Sequence, residues 1–166
     1  LELVARTPHV SQTPATRLLR AKGIAFSEHP YDYRHGGGTA HSAQALGLEE
    51  YAVLKTLVME DEAGRPLVVL MHGTHQVVTR ELARAAGVKR VAPCEPATAE
   101  RHSGYQVGGT SPFATRKAMP VYVQESVLSL PRIFLNGGRR GYLIGMEPAD
   151  LARALSIITV DCARLD

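Results

Sequence analysis

The residues best suited to chemistry lie in one stretch, Ser103 to Met119, which reads SGYQVGGTSPFATRKAM. Gly108 and Gly109 lack a Cβ, so their backbone tolerates positive φ and close approach to a ligand. Thr110 and Ser111 add hydroxyl groups and backbone N–H donors. Pro112 has no N–H and biases Ser111 toward an extended backbone. Arg116 and Lys117 follow with positive charge. Such a loop can turn N–H groups toward a carbonyl oxygen or a phosphate, with cations behind it. A plain glycine turn between two strands uses the same residues, and for a Gly-Gly pair alone it is the commoner use.

Lys55 is a second candidate. It interrupts VLKTLVME, Val53 to Glu60, a run apolar on both faces. A buried lysine is costly unless it is paired or lines a cavity, and the alternative is a packed stem with the amine in water. A mid-strand position favours the cavity. Arg132, Arg139 and Arg140 flank a second glycine pair, Gly137-Gly138. If both glycine stretches sit at one end of a sheet, these arginines, Arg116 and Lys117 make a basic mouth for phosphates. Otherwise they are solvated loop charges, and spacing alone does not choose.

Several chemistries lose support. His35-Gly36-Gly37-Gly38 resembles an esterase oxyanion loop, but no GxSxG elbow occurs and GTSPF around Ser111 lacks the second glycine. No Walker loop and no GxGxxG is present, which disfavours nucleotide hydrolysis and dinucleotide redox chemistry. His72 and His75 flank Gly73 at a strand end without an HExxH pattern, so they read as ordinary loop histidines, not metal ligands. Cys94 and Cys162 belong to no CxxC pair. A net charge of +3 is compatible with a polyanion partner, while aromatics at 5% disfavour a stacking platform for long single strands. LELVARTPHV lacks the features of a signal peptide and no run is long and apolar enough to span a membrane, so a cytoplasmic protein is expected.

These residues need a frame, and 166 residues suffice for one core. Residues 1–12 read as a loose N-terminal lead-in and 13–166 as a single domain. Thr13-Pro14 opens a helix that Gly23 stops. Ile24 to Tyr31 reads as a strand and Asp32 to Thr39 as a loop, with Thr39 capping a helix over Ala40–Leu46. Val53–Glu60 is a central strand, and Leu67–His72 returns antiparallel to it. A helix follows from Thr79 through Ala86, then a short strand near Val88–Ala92 and a short helix before His102. Val121–Gln124 is a strand. Arg132–Asn136 and Tyr142–Met146 pair around a turn at Gly137-Gly138. Pro148 opens a last helix, with Ile157–Val160 extended after it. Hairpin-close strands mixed with helices give an α+β fold with a mixed, largely antiparallel sheet that can curl into a barrel.

Taken together and in order, VLKTLV, SGYQVGGTSPF and LNGGRRG resemble the YbaK/EbsC family of bacterial Cys-tRNA(Pro)/Cys-tRNA(Cys) deacylases, relatives of the editing domain inserted in prolyl-tRNA synthetases. TPATRLLRAKGIAFSEHPY and EPADLARAL extend the likeness from about Thr13 to near Asp161. The resemblance implies an α+β fold around a six-stranded, barrel-like sheet with surrounding helices. It implies a trans-editing enzyme that clears cysteine mischarged onto tRNA(Pro). Its partners would be the aminoacylated acceptor end of tRNA and prolyl-tRNA synthetase, with no metal or other cofactor. Lys55 is then the lysine of the KTL strand, Tyr31 the pocket tyrosine, and Gly108-Gly109-Thr110-Ser111-Pro112 the site loop. N–H groups from Gly108 to Thr110 would hold the carbonyl oxygen. Lys55 would hold the ribose end or terminal phosphate, and Arg116, Lys117, Arg139 and Arg140 would meet phosphates.

The resemblance also implies a reaction in which the substrate's own thiol attacks its ester. Two positions depart from relatives. Ala114 stands where glycine is common after Ser-Pro-x, and Leu143 where some deacylases carry aspartate. Two alternatives stay open: a deacylase for another small amino acid such as alanine, and a non-catalytic module that binds a tRNA end or a synthetase.

Overall fold

The computed structural model describes residues 12–165. Apart from Gln12, the expected N-terminal lead-in lies outside the described residues. Helix α1, Pro14–Ala21, starts where the sequence places it. The Thr13 hydroxyl accepts from the Thr16 N–H, and the Thr16 hydroxyl accepts from the Thr13 N–H. This reciprocal cap satisfies two donors that a helix start leaves open. The Thr13 hydroxyl also donates to the carbonyl of Gly137, tying α1 to a distant strand.

The remaining elements follow in order. They are β1 (Ser27–Pro30), α2 (Gly38–Leu46), a 3-10 turn (Glu50–Ala52), β2 (Leu54–Asp61), β3 (Pro66–His72), β4 (His75–Val77) and α3 (Thr79–Ala86). Then come β5 (Val91–Pro93), α4 (Pro96–Ser103), β6 (Val121–Gln124), a second 3-10 turn (Glu125–Ser129), β7 (Ile133–Arg139) and β8 (Tyr142–Met146). The chain closes with α5 (Ala149–Ala154), β9 (Ile157–Val160) and β10 (Ala163–Leu165).

The main sheet has five strands in the order β5-β2-β3-β6-β9, and β2 is interior as expected. The β2–β3 and β2–β5 pairs are antiparallel, while β3–β6 and β6–β9 are parallel. Strands β1, β8 and β7 form a second, antiparallel sheet, and β4 pairs with β10. The resemblance implied a six-stranded, barrel-like sheet; the main sheet instead has five strands and does not close into a barrel. The ladder breaks between β2 and β7, where Val53, just ahead of β2, makes one isolated bridge to Phe134. The α+β class and the largely antiparallel pairing hold.

Strand β3 is buried along its whole length because it faces two cores. Val68 and Leu70 point into a cluster with Leu19, Phe113, Ile133, Ile144 and Leu151. Leu67, Val69 and Met71 point the other way, toward Leu82 of α3, Val91 and Cys162. Burial of each such side chain contributes roughly 1.5–3 kcal/mol. A strand held on both faces is a rigid neighbour for β2, which carries Lys55.

Two local expectations change. Gly137-Gly138 is not the hairpin turn. It lies inside β7, where the register shifts between Asn136 and Arg139, and the turn falls at Arg140-Gly141. The Asn136 side-chain oxygen accepts from the N–H groups of Gly138 and Arg139, a local bond that stabilises a bulge. Thr39 does not cap α2. Its hydroxyl donates instead to the Glu50 carboxylate at 2.8 Å, and α2 begins at Gly38.

Candidate active-site cavity

The glycine loop is fixed from beneath. Gly104 ends α4 with φ +80°, and the Ser103 hydroxyl accepts from the Tyr105 N–H. The buried Tyr105 hydroxyl donates to the carbonyl of Phe113 at 2.6 Å. Burial pushes the Tyr105 phenol up to about 12, so it remains a donor. The Phe113 N–H donates to the Ser111 hydroxyl. Ser111, Pro112 and Phe113 are thus buried under the loop and shape it. Ser111 and Pro112 were expected at the ligand, and they are not among the residues lining the cavity.

The paired glycine is needed because two other segments crowd it. A Cβ on Gly109 would lie 2.7 Å from the Arg140 backbone nitrogen, and one on Gly108 would lie 2.6 Å from the Tyr33 hydroxyl. Gly108 also has φ +88°. Its carbonyl accepts from the Asn136 side-chain amide, and the carbonyl of Val107 accepts from Arg140 Nε at 2.9 Å. The same Arg140 guanidinium stacks 5.2 Å from the Tyr33 ring. The loop is therefore clamped between the β7–β8 turn and the segment after β1.

These segments enclose a cavity of about 690 Å³. Lys55 and Leu57 of β2 line it together with Tyr31, Tyr33, His35 and His41. Gly108, Thr110 and Arg140 also line it, as do Cys94, Pro96 and Ala99. Lys55 Nζ donates to the carbonyl oxygen of His75 at 2.7 Å. The Gly109 N–H is spent on the carbonyl of Gln106, so it is not available to a ligand. Among the described residues no acceptor is found for the N–H groups of Gly108 and Thr110.

Burial, with Tyr33 beside it, raises the Tyr31 phenol above its usual range, which keeps it a protonated donor at neutral pH. Burial and the neighbouring Glu60 carboxylate push the Cys94 thiol up to about 11. A thiol so disposed is a poor nucleophile at neutral pH. Leu143 lines the floor, packed with Val53 and Ala43.

The five cations do not form one mouth. Arg140 reaches the cavity. Arg139 is exposed, with its guanidinium 5.6 Å from the Tyr142 ring. Arg116 lies along Gly104 in a separate groove, and the Lys117 N–H is bonded to the carbonyl of His102. Arg132 donates to Ser27 and to the carbonyl of Gly145, at the other end of β7.

His72 is buried and stacked on Tyr51, with ring nitrogens facing the Tyr51 carbonyl and the Ser126 hydroxyl. Among the described residues no group of three or more His, Cys, Asp or Glu side chains is arranged to hold a metal. No helix of the described residues is long and apolar enough to cross a membrane.

Tyr33, His41 and Asn136 belong to the site and were not singled out in the sequence. The Asn-Gly-Gly run carries a signal for Asn136, since Asn bonds its own following backbone. Tyr33 and His41 carry none, because their place depends on contacts between distant segments.

Comparison with known proteins bears on the family and the fold. Residues 36–154, more than two thirds of the chain, match the aminoacyl-tRNA editing domain. A protein of Enterococcus faecalis with the provisional name Cys-tRNA(Pro)/Cys-tRNA(Cys) deacylase EbsC is 28% identical over 146 residues. That match covers 87% of this chain and 89% of the relative. A proline–tRNA ligase of Limosilactobacillus fermentum is 24% identical over 105 residues, which are 61% of this chain and 18% of the ligase. Among solved structures, the hypothetical protein APE2540 superposes with a TM-score of 0.84 at 24% identity, covering 92% of this chain and 100% of that one. A structure described provisionally as a trans-editing enzyme for prolyl tRNA synthetase superposes at 0.77 and 23% identity, covering 93% and 99%. These two establish the fold, and the matched span establishes the family: the chain belongs to the aminoacyl-tRNA editing domain family.

Proposed function

We propose that this protein is a trans-editing deacylase that releases cysteine from mischarged tRNA(Pro). The observation that carries the reading is the shared cavity: Lys55, Tyr31, Gly108, Thr110 and Arg140 line one space although four separate segments supply them. A space of about 690 Å³ suits a small ligand, such as a terminal nucleoside with its amino acid.

The chemistry needs no protein nucleophile. The substrate's cysteine sulfur, as thiolate, attacks its own ester carbonyl. A C–S bond forms, the ester C–O bond breaks, and the proton lost by the thiol ends on the ribose hydroxyl. The strained β-thiolactone released then hydrolyses in water to cysteine. An ordinary thiol titrates at about 8.5, so a useful thiolate fraction exists at neutral pH. Holding sulfur against carbonyl supplies the rest of the advantage by proximity. The N–H groups of Gly108 and Thr110 take the developing oxyanion, Lys55 steadies the ribose end, and Arg140 meets the terminal phosphate.

The apolar floor at Leu143 favours a second reading, in which the pocket also accepts the methyl group of alanine. A deacylation panel of cysteinyl, alanyl and seryl tRNA(Pro), run with and without prolyl-tRNA synthetase, separates these readings. Release of cysteine alone supports the proposal. Faster release of alanine replaces it with the second reading, and no release from any ester leaves a binding module.

A further inference from the structure

A second depression lies on the other side of α4, about 370 Å³ in volume and lined by Glu100, Arg101, Tyr105, Gln106 and Arg116. It adjoins the first cavity through shared elements. Pro96 and Ala99 of α4 face the cavity, whereas Ala97, Glu100 and Arg101 face the groove. Val107 stands at the join, accepting from Arg140 Nε through its carbonyl and donating its N–H to Glu100 Oε1 at 3.0 Å.

The groove carries an excess of positive charge: Arg101 and Arg116 line it against the one carboxylate of Glu100, and Lys117 follows Arg116 at its edge. The N–H groups of Arg116 and Lys117 bond the carbonyls of Ser103 and His102, which fixes both residues against the end of α4. Arg101, Arg116 and Lys117 are exposed. None of them takes part in an ion pair among the described residues. Glu100, the carboxylate in the groove, is engaged with the loop. His102 senses the same field: burial, then Lys117 and Arg101, hold its imidazole below the usual range.

We propose that this groove is a phosphate track for RNA, in which Arg101, Arg116 and Lys117 hold the ribose–phosphate backbone just 5′ of the esterified nucleotide as it leaves the cavity past Val107 and Arg140. The inference rests on the aminoacyl-tRNA reading of the cavity and adds a binding surface to it. Cations on two adjoining segments of fixed backbone suit a chain of evenly spaced anions, and they read no base.

The test compares wild type with an R101Q/R116Q/K117Q variant, whose changes are all at exposed positions. Binding of uncharged tRNA is measured across a KCl series, alongside deacylation of full-length Cys-tRNA(Pro) and of 3′-cysteinyl adenosine, which has no phosphate. The expected result is a loss of tRNA affinity of at least tenfold at about 100 mM KCl. The slope of log affinity against log salt should fall by roughly one per lost contact, about three in all. Deacylation of the tRNA should fall relative to deacylation of the adenosine ester. An unchanged salt slope overturns the track. If wild type cleaves neither ester yet the variant loses the salt slope, the track stands and the catalytic reading falls.

Discussion

The ammonium of Lys55, the second residue of the interior strand β2, donates to the carbonyl oxygen of His75 across 2.7 Å. The bond fixes a flexible four-carbon side chain at the cavity wall, and a charge held in place costs less to use than one that must be ordered on binding. Charge-assisted hydrogen bonds contribute on the order of 1.5–3 kcal/mol. Lys55→Ala is therefore expected to lower kcat/KM for Cys-tRNA(Pro) by roughly 10- to 150-fold. Lys55→Arg should recover little, since a planar guanidinium cannot reproduce the compact geometry. Steady-state kinetics on the three proteins checks this, and an alanine variant with full activity removes Lys55 from the mechanism.

The glycine pair should fail in two different ways. In Gly109→Ala the new Cβ meets backbone at Arg140, which cannot swing away, so about 1–3 kcal/mol of stability is lost. In Gly108→Ala the new Cβ meets the Tyr33 ring and strains a positive φ, which displaces one of the two N–H donors assigned to the oxyanion. A lost donor of this kind costs about 100-fold or more in kcat. Thermal melts and single-turnover rates on both variants distinguish them.

Ala114 should be improvable. It is exposed and sits at φ +55°, the one non-glycine residue with positive φ among the described residues. An alanine in this region costs about 1 kcal/mol relative to glycine. Ala114→Gly is expected to raise the melting temperature by about 2–4 °C. The alanine at this position is then a stability cost, and catalytic rates should be unchanged.

Cys94 should be chemically quiet. With its thiol pushed up to about 11, roughly one molecule in a few thousand carries the thiolate near pH 7.5. Alkylation by iodoacetamide should be slow at neutral pH and accelerate as pH approaches 11. The thiol is raised above its ordinary value of about 9, so its stabilising contribution is present below pH 9 and is lost as pH climbs to 11. Cys94→Ala should retain deacylation. A dead Cys94→Ala protein that still folds would point to a protein nucleophile instead.

The long, strongly patterned parts of the fold were legible in the sequence. Thr13-Pro14 announced α1, and Val121–Gln124 formed the strand its β-branched residues favour. Strands β4 and β10 were not legible, because three residues each carry no period and exist through their mutual pairing. The cavity's lysine, tyrosine and glycines were visible as types at suggestive places. Which loop residues face the ligand was not, because Phe113 anchors the loop in the core and carries Ser111 and Pro112 inside with it. The bulge at Gly137-Gly138 was hidden likewise, since Gly137 is needed where the Tyr142 ring crosses it.

The most direct measurement is single-turnover release of amino acid from Cys-tRNA(Pro) and Ser-tRNA(Pro) across a pH series. If the substrate's sulfur severs its own ester in this cavity, the cysteinyl ester is released far faster than the seryl ester, and its rate climbs with pH toward the thiol's value of about 8.5. Equal rates on the two esters, or a cysteinyl rate no greater than in buffer, would contradict the account.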